Sequence, residues 1–195
     1  MADYKLTKSV GEHWTCAELA RRGWSPALTR DGLERTDLLA VGGHLPDRPT
    51  IEVQVKTANE SGSRTSWPLG DKAQMSAKSD REWFVLAFVP RDLSAPIRGY
   101  VIPRDHVAAA AWIVHQDWLT NPTVKPGKRN APASRSRVNT TVWERYEGRW
   151  DLLNQSTSAA PVLLPGWLRD RSSEPRVGLP PSHPWRAGLP PVWPD

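Results

Sequence analysis

Between Thr50 and Thr57 the chain alternates Ile51, Val53 and Val55 with Glu52, Gln54 and Lys56. A period of two reads as a strand and places the three polar side chains on one face, about 6.6 Å apart. Upstream, Asp37 opens a mostly apolar run to Val41, and Glu12 lies in a segment with helical signals. Carboxylates, an amide oxygen and an ammonium together could carry metal-assisted hydrolysis. Hard oxygen donors suit Mg2+, and a lysine beside them can stabilise developing charge. Each residue also has a plainer reading. Glu12 can be the partner in a Ser9-x-x-Glu12 capping box. Asp37 can pair with Arg35 or cap a turn. Glu52 and Lys56 can be the solvated face of an amphipathic strand.

The elements that must position these residues follow from pattern and punctuation. A helix runs from the capping box past Trp14, Cys16, Ala17, Leu19 and Ala20 to Gly23, which ends it. Trp24 to Thr29 reads as a strand, with Pro26 placing it at an edge or a bulge. Thr36 to Val41 is a second strand, and residues 42–47 form a turn. After the Thr50–Thr57 strand, Asn59 to Gly70 is polar and reads as a loop. A short helix is expected around Lys72 to Ser79. The apolar runs Trp83 to Val89 and Gly99 to Ile102 are buried strands. Pro103 suits the first turn of a helix reaching Leu119. Asn121 to Val138 is an irregular basic loop with Lys125, Lys128, Arg129, Arg135 and Arg137, able to contact phosphates or simply to be solvated. A last strand-and-helix piece is expected over Thr141 to Leu153.

From Ser156 onward the composition changes. Prolines recur at 161, 165, 175, 180, 181, 184, 190, 191 and 194, and Gly178-Leu-Pro-Pro returns as Gly188-Leu-Pro-Pro near Trp185 and Trp193. Proline at this density excludes helix interiors and central strands. A domain over residues 5–155, followed by a disordered Pro/Trp-rich tail over 156–195, is therefore expected. Such a tail could dock on an aromatic groove of a protein partner.

The whole chain has 195 residues, 38% of them hydrophobic and 24% charged, with a net charge of +5. That balance is a globular one, and the charge accommodates a polyanion without demonstrating one. A single cysteine, Cys16, excludes an intrachain disulfide and a cysteine-based zinc site. The N-terminal residues carry no apolar signal core. The longest apolar run, Val107 to Val114, falls far short of the roughly 20 residues of a membrane helix. A cytoplasmic protein without a membrane partner is expected. The five histidines show no metal spacing, and no Walker loop, GxGxxG or serine-hydrolase elbow is present. Among the tryptophans, Trp14, Trp83 and Trp112 sit in apolar surroundings and read as core. Trp67 stands in a polar stretch soon after Lys56 and reads as a candidate for stacking on a nucleic-acid base.

Taken in order, helix acid, strand acid and Gln-x-Lys form a pattern. Arg35-Thr-Asp37-Leu-Leu-Ala followed by Ile51-Glu-Val-Gln-Val-Lys56-Thr resembles the PD-(D/E)XK nuclease superfamily, the fold of many restriction enzymes and archaeal Holliday-junction resolvases. Gly11-Glu12 and Ala17-Glu-Leu-Ala-Arg-Arg-Gly-Trp24 resemble the first helix of resolvase-like members. Trp143-Glu-Arg-Tyr-Glu-Gly-Arg-Trp-Asp-Leu-Leu153 resembles the close of small prokaryotic members. The strong part of the resemblance covers residues 9–57, and the tail lies outside it.

The resemblance implies an α/β fold, a restriction-endonuclease-like mixed sheet flanked by helices, and Mg2+-dependent hydrolysis of phosphodiester bonds in DNA. Mn2+ is an alternative ion. A divalent cation neutralises the scissile phosphate and lowers the pKa of bound water. Asp37, the Gln54 side-chain oxygen and the backbone carbonyl of Val55 would hold the metal. Glu12 would hold a second ion or a metal-bound water, and Lys56 would orient the attacking water. Gln54 departs from the acid that most members carry, although Gln-x-Lys occurs in active branches such as Mrr-type restriction enzymes. The alternative is a nucleic-acid-binding or partner-recruiting protein that keeps the fold without cleavage. A homodimer is compatible with either.

Overall fold

The computed structural model describes residues 4–30, 33–62, 65–125 and 127–193. The chain divides into two compact units. The first comprises Met1–Thr65, Lys78–Pro103 and Tyr146–Ala160. It opens with α1 (Tyr4–Arg21), followed by β1 (Trp24–Leu28), β2 (Leu38–Gly42) and β3 (Thr50–Asn59). The chain leaves this unit through β4 (Ser66–Pro68) and α2 (Gly70–Ala73) and returns with β5 (Glu82–Val89) and β6 (Arg98–Pro103). The sheet order is β1-β2-β3-β5-β6. The first three strands pair antiparallel, β3 and β5 parallel, and β5 and β6 antiparallel. This is the mixed, helix-flanked sheet expected of the sequence.

Side-chain period decides which faces are covered. On β3, Ile51, Val53 and Val55 are buried while Glu52, Gln54 and Lys56 are half-buried. In the centre of the sheet, Trp83, Phe84, Val85, Leu86 and Ala87 of β5 are fully buried, as in a strand covered on both faces. Helix α1 lies against β3, and Gly11 makes the approach possible. A Cβ built at Gly11 would stand 1.9 Å from Thr57 Oγ1. The helix ends where Gly23 takes φ +82, a conformation that costs glycine little. Pro26 sits on edge strand β1, where a missing N–H is tolerated.

Three local expectations are corrected. The helix begins at Tyr4, so Ser9 lies inside it and caps nothing; Ser9 Oγ instead lies 3.3 Å from His13 Nδ1. An i,i+4 ion pair, Lys8 with Glu12, supports the added turn. The polar stretch after residue 59 contains a strand, β4. Residues 140–154 form 3-10 turns (Thr140–Val142, Glu144–Tyr146, Trp150–Asn154) rather than a strand and a helix.

The second unit comprises Ser66–Ala77, Arg104–Arg145 and Pro161–Asp195. It contains β4, α2, α3 (Arg104–Leu119), β7 (Arg137–Asn139) and α4 (Gly166–Ser172). Strands β4 and β7 pair antiparallel. Ala108 to Ala111 of α3 are completely buried; small side chains let neighbouring segments approach the helix closely.

The expectation of a disordered tail is overturned for the described residues 156–193. Val162, Leu164, Leu168, Val177, Leu179 and Trp193 are buried. Trp193 Nε1 donates to the Leu164 carbonyl at 3.0 Å, and Trp112 Nε1 to that of Val177 at 2.9 Å. Asp117 of α3 accepts from the Arg176 guanidinium at 2.6 Å. His183 Nε2 meets the Asp105 carbonyl at 2.9 Å. The prolines occupy turns and helix starts: Pro165 precedes α4, and Pro184 opens a 3-10 turn. A proline-rich chain has less conformational entropy to lose, so modest apolar burial suffices to order it. Pro194 lies outside the described residues.

Candidate functional site

Asp37 immediately precedes β2. Its N–H donates to the Val53 carbonyl at 2.9 Å, and its carbonyl accepts from Thr29 N–H at 3.0 Å. Both its neighbours along the sheet therefore hold its backbone. The ladder between β2 and β3 pairs Leu38 with Val53, and Asp37 stands just past it. There its side chain takes over from the backbone: Asp37 Oδ2 accepts from Val55 N–H at 2.8 Å. In an extended strand a residue's N–H and C=O point to the same edge. The Val55 carbonyl thus faces the edge on which the Asp37 carboxylate lies. Gln54 and Lys56, the residues either side of Val55, are half-buried on β3 and share a face with Glu52.

Helix α1 brings a second carboxylate to the same place. Lys8 Nζ lies 3.3 Å from Glu12 Oε1 and 3.8 Å from Asp37 Oδ1, so one ammonium spans acids from two elements. The Glu12 and Asp37 side chains are 15% and 19% exposed, whereas Lys8 is 58% exposed. The acids are sheltered and their counter-charge is at the rim. Burial pushes the Glu12 carboxyl above the ordinary range, Lys8 opposes that shift, and the Asp37 carboxylate adds to it. A carboxyl held this close to a second carboxylate stands where a cation is favoured.

The backbone before Asp37 is anchored twice. Arg35 takes φ +72 and donates through its guanidinium to Glu82 Oε2 at 3.0 Å, both side chains being buried. Glu82, at the start of β5, also accepts from the N–H groups of Lys78 and Ser79. Thr36 Oγ1 donates to Glu52 Oε2 at 2.8 Å. Arg35 therefore pairs with Glu82, and Glu52 is engaged beside Asp37's own neighbour.

Among the described residues no group of three or more His, Cys, Asp or Glu side chains could hold a metal ion. The oxygens brought together are two carboxylates and, on the same edge, the Val55 carbonyl, with Gln54 the preceding residue of β3. All are hard oxygen donors, and a divalent ion that keeps several waters needs no more. The ammonium spanning the acids marks where positive charge is favoured. These are the donor types that Mg2+ or Mn2+ takes.

The residues read as nucleic-acid contacts divide. Lys125, Lys128 and Arg135 are exposed. Arg129 donates to the Trp118 carbonyl at 2.8 Å with its guanidinium 5.2 Å from the Trp118 ring centroid. Arg137 lies in β7 and donates to Ser66 Oγ and the Ser66 carbonyl. Trp67, expected at the surface, is completely buried in the β4–β7 pair, which removes it as a stacking residue. Its neighbours in sequence are polar, but a two-strand ladder turns it inward. Of the tryptophans read as core, Trp83 is fully buried, while Trp14 is half-buried and meets Trp150 edge-on with centroids 5.8 Å apart.

The structure adds Lys8, Arg35, Thr36 and Glu82 to the surroundings of Asp37. The i,i+4 spacing of Lys8 and Glu12 was a readable signal. The Arg35–Glu82 pairing had none, because it joins residues far apart in the sequence.

No helix among the described residues is long and apolar enough to cross a membrane. No protein-family model matches the chain, and no curated protein matches it. Among solved structures, a bacterial homing endonuclease, I-Ssp6803I, is similar with a TM-score of 0.44 and 18% sequence identity, over 81% of this chain and 96% of that one.

Proposed function

We propose that the chain is a metal-dependent endonuclease of the PD-(D/E)XK type, in its Gln-x-Lys variant, that hydrolyses phosphodiester bonds in DNA. The observation that carries this reading is the Val55 N–H bond to Asp37. It pins a carboxylate from the start of β2 against the strand residue between Gln54 and Lys56, where α1 adds Glu12. Asp37 is the principal anionic ligand. Gln54 and the Val55 carbonyl offer neutral oxygens, and Glu12 offers a second carboxylate. Bound Mg2+, or Mn2+ in its place, would supply charge neutralisation and a more acidic water. Lys56, on the same strand face as Gln54, orients the attacking water and stabilises negative charge gathering on phosphorus. Exposed Lys125, Lys128 and Arg135 contribute to phosphate binding, which is salt-dependent.

The test is incubation of the full chain with plasmid, branched DNA, single-stranded DNA and RNA, with and without Mg2+. Cleavage of DNA that requires the metal, and that Asp37→Ala and Lys56→Ala each abolish in folded protein, is the expected result. Cleavage persisting in both variants would remove the site assignment. Binding without cleavage under every condition would favour the non-catalytic reading, which the neutral Gln54 and the small number of carboxylates also accommodate.

A further inference from the structure

We propose that Lys8 is a displaceable counter-ion: its ammonium holds the Glu12 and Asp37 carboxylates together in the metal-free protein and swings out when a divalent cation binds. This rests on the reading of the pair as metal ligands. Three observations support it. First, Lys8 Nζ contacts acids from two different elements, at 3.3 and 3.8 Å, so it neutralises the pair rather than one member. Second, those distances exceed the 2.7–2.9 Å typical of a charge-assisted hydrogen bond, so the ammonium is divided between the two acids. Third, Lys8 is 58% exposed above acids that are 15% and 19% exposed, which leaves its flexible stem an outward path.

The oxygens assort accordingly. Asp37 Oδ2 is engaged by Val55 N–H, and Oδ1 is the oxygen turned towards Lys8. Glu12 Oε1 likewise faces Lys8. An ammonium thus stands against the carboxylate oxygens that an incoming cation would take. Without any cation, two half-sheltered carboxylates would face each other across α1 and β2, an arrangement that like-charge repulsion disfavours. Lys8 makes that arrangement stable before the metal arrives, and in doing so competes with the metal.

Removing the ammonium should therefore tighten divalent-cation binding by about tenfold, the scale set by a unit charge near a divalent ion in high dielectric. It should also destabilise the metal-free chain. The measurement is calorimetric titration of the full chain with Mg2+ and with Ca2+, alongside melting temperatures with and without Ca2+. Wild type, Lys8→Met, Lys8→Arg and Asp37→Asn are compared. Lys8→Met is expected to bind more tightly, to melt lower without metal, and to gain more from Ca2+ than wild type. Lys8→Arg, which keeps the charge, is expected to bind no more tightly than wild type. Should Lys8→Met not fold, Lys8→Gln replaces it. Equal or weaker binding by the neutral variant, with binding lost in Asp37→Asn, would overturn the role of Lys8 and leave the metal site standing. Binding that Asp37→Asn leaves unchanged, or no binding by either wild type or the neutral variant, would overturn the site reading and the role of Lys8 with it.

Discussion

Gln54 is the residue where this chain leaves the majority pattern of the nucleases it resembles, and its consequences are electrostatic. An amide oxygen offers Mg2+ a hard donor but no charge. With Asp37 sharing its carboxylate between Val55 N–H and Lys8, the anionic component of the site is thin. Gln54→Glu adds a charge at nearly constant volume. Cleavage by this variant is expected to persist with its optimum at lower Mg2+, whereas Gln54→Ala should require markedly more. A magnesium titration of cleavage for the three proteins checks this, and superimposable curves would show that Gln54 does not touch the ion. Glu52 is a poor substitute ligand because it already accepts from Thr36 Oγ1.

At the scale of elements, the candidate site depends on how closely α1 approaches β3. Gly11 is the point of closest approach, with Thr57 Oγ1 only 1.9 Å from where a Cβ would lie. A methyl group there forces the helix or the strand to move, and Glu12 and Lys8 move with the helix. Gly11→Ala is expected to cost about 1–3 kcal/mol, the range for overpacked interiors, and to weaken divalent-cation binding in the protein that remains folded. Combining it with Thr57→Ala, which removes the offending hydroxyl, should recover part of both losses. Chemical denaturation and cation titration of the single and double variants provide the measurement; full stability in Gly11→Ala would show that α1 adjusts without strain. On the other side of Asp37, the buried Arg35–Glu82 pair performs a comparable task by fixing the turn that delivers it to β2.

For the whole molecule, the decisive feature is that residues 161–193 contribute to the second unit's interior. Trp193 and Leu164 are joined by a hydrogen bond, as are Trp112 and the Val177 carbonyl. His106 of α3 is buried against the ring of Trp185, centroids 5.1 Å apart, and burial pushes its pKa down to about 3. Ending the chain at Gln155 would strip these partners from α3. Its melting temperature is expected to fall by well over 10 °C, since several large side chains lose their burial at roughly 1.5–3 kcal/mol each. A change of only a few degrees, read by circular dichroism, would return the segment to the status of an appended tail.

What the sequence determined by itself is the part governed by local rules. Alternation in Ile51 to Lys56 marked β3 and its two faces, Gly23 marked the end of α1, and Pro26 marked an edge strand, because strand period, left-handed backbone and a missing N–H act within a few residues. The order Glu12, Asp37, Gln54, Lys56 was likewise legible as a pattern. Tertiary structure alone decided which groups meet. It chose Glu82 over Asp37 as the partner of Arg35, set Lys8 between two acids, turned Trp67 inward, and ordered a proline-rich segment that composition assigned to solvent. Each of these outcomes depends on contacts between segments distant in sequence. Burial, desolvation and charge pairing are fixed by what stands across the gap, and neither spacing nor composition encodes that.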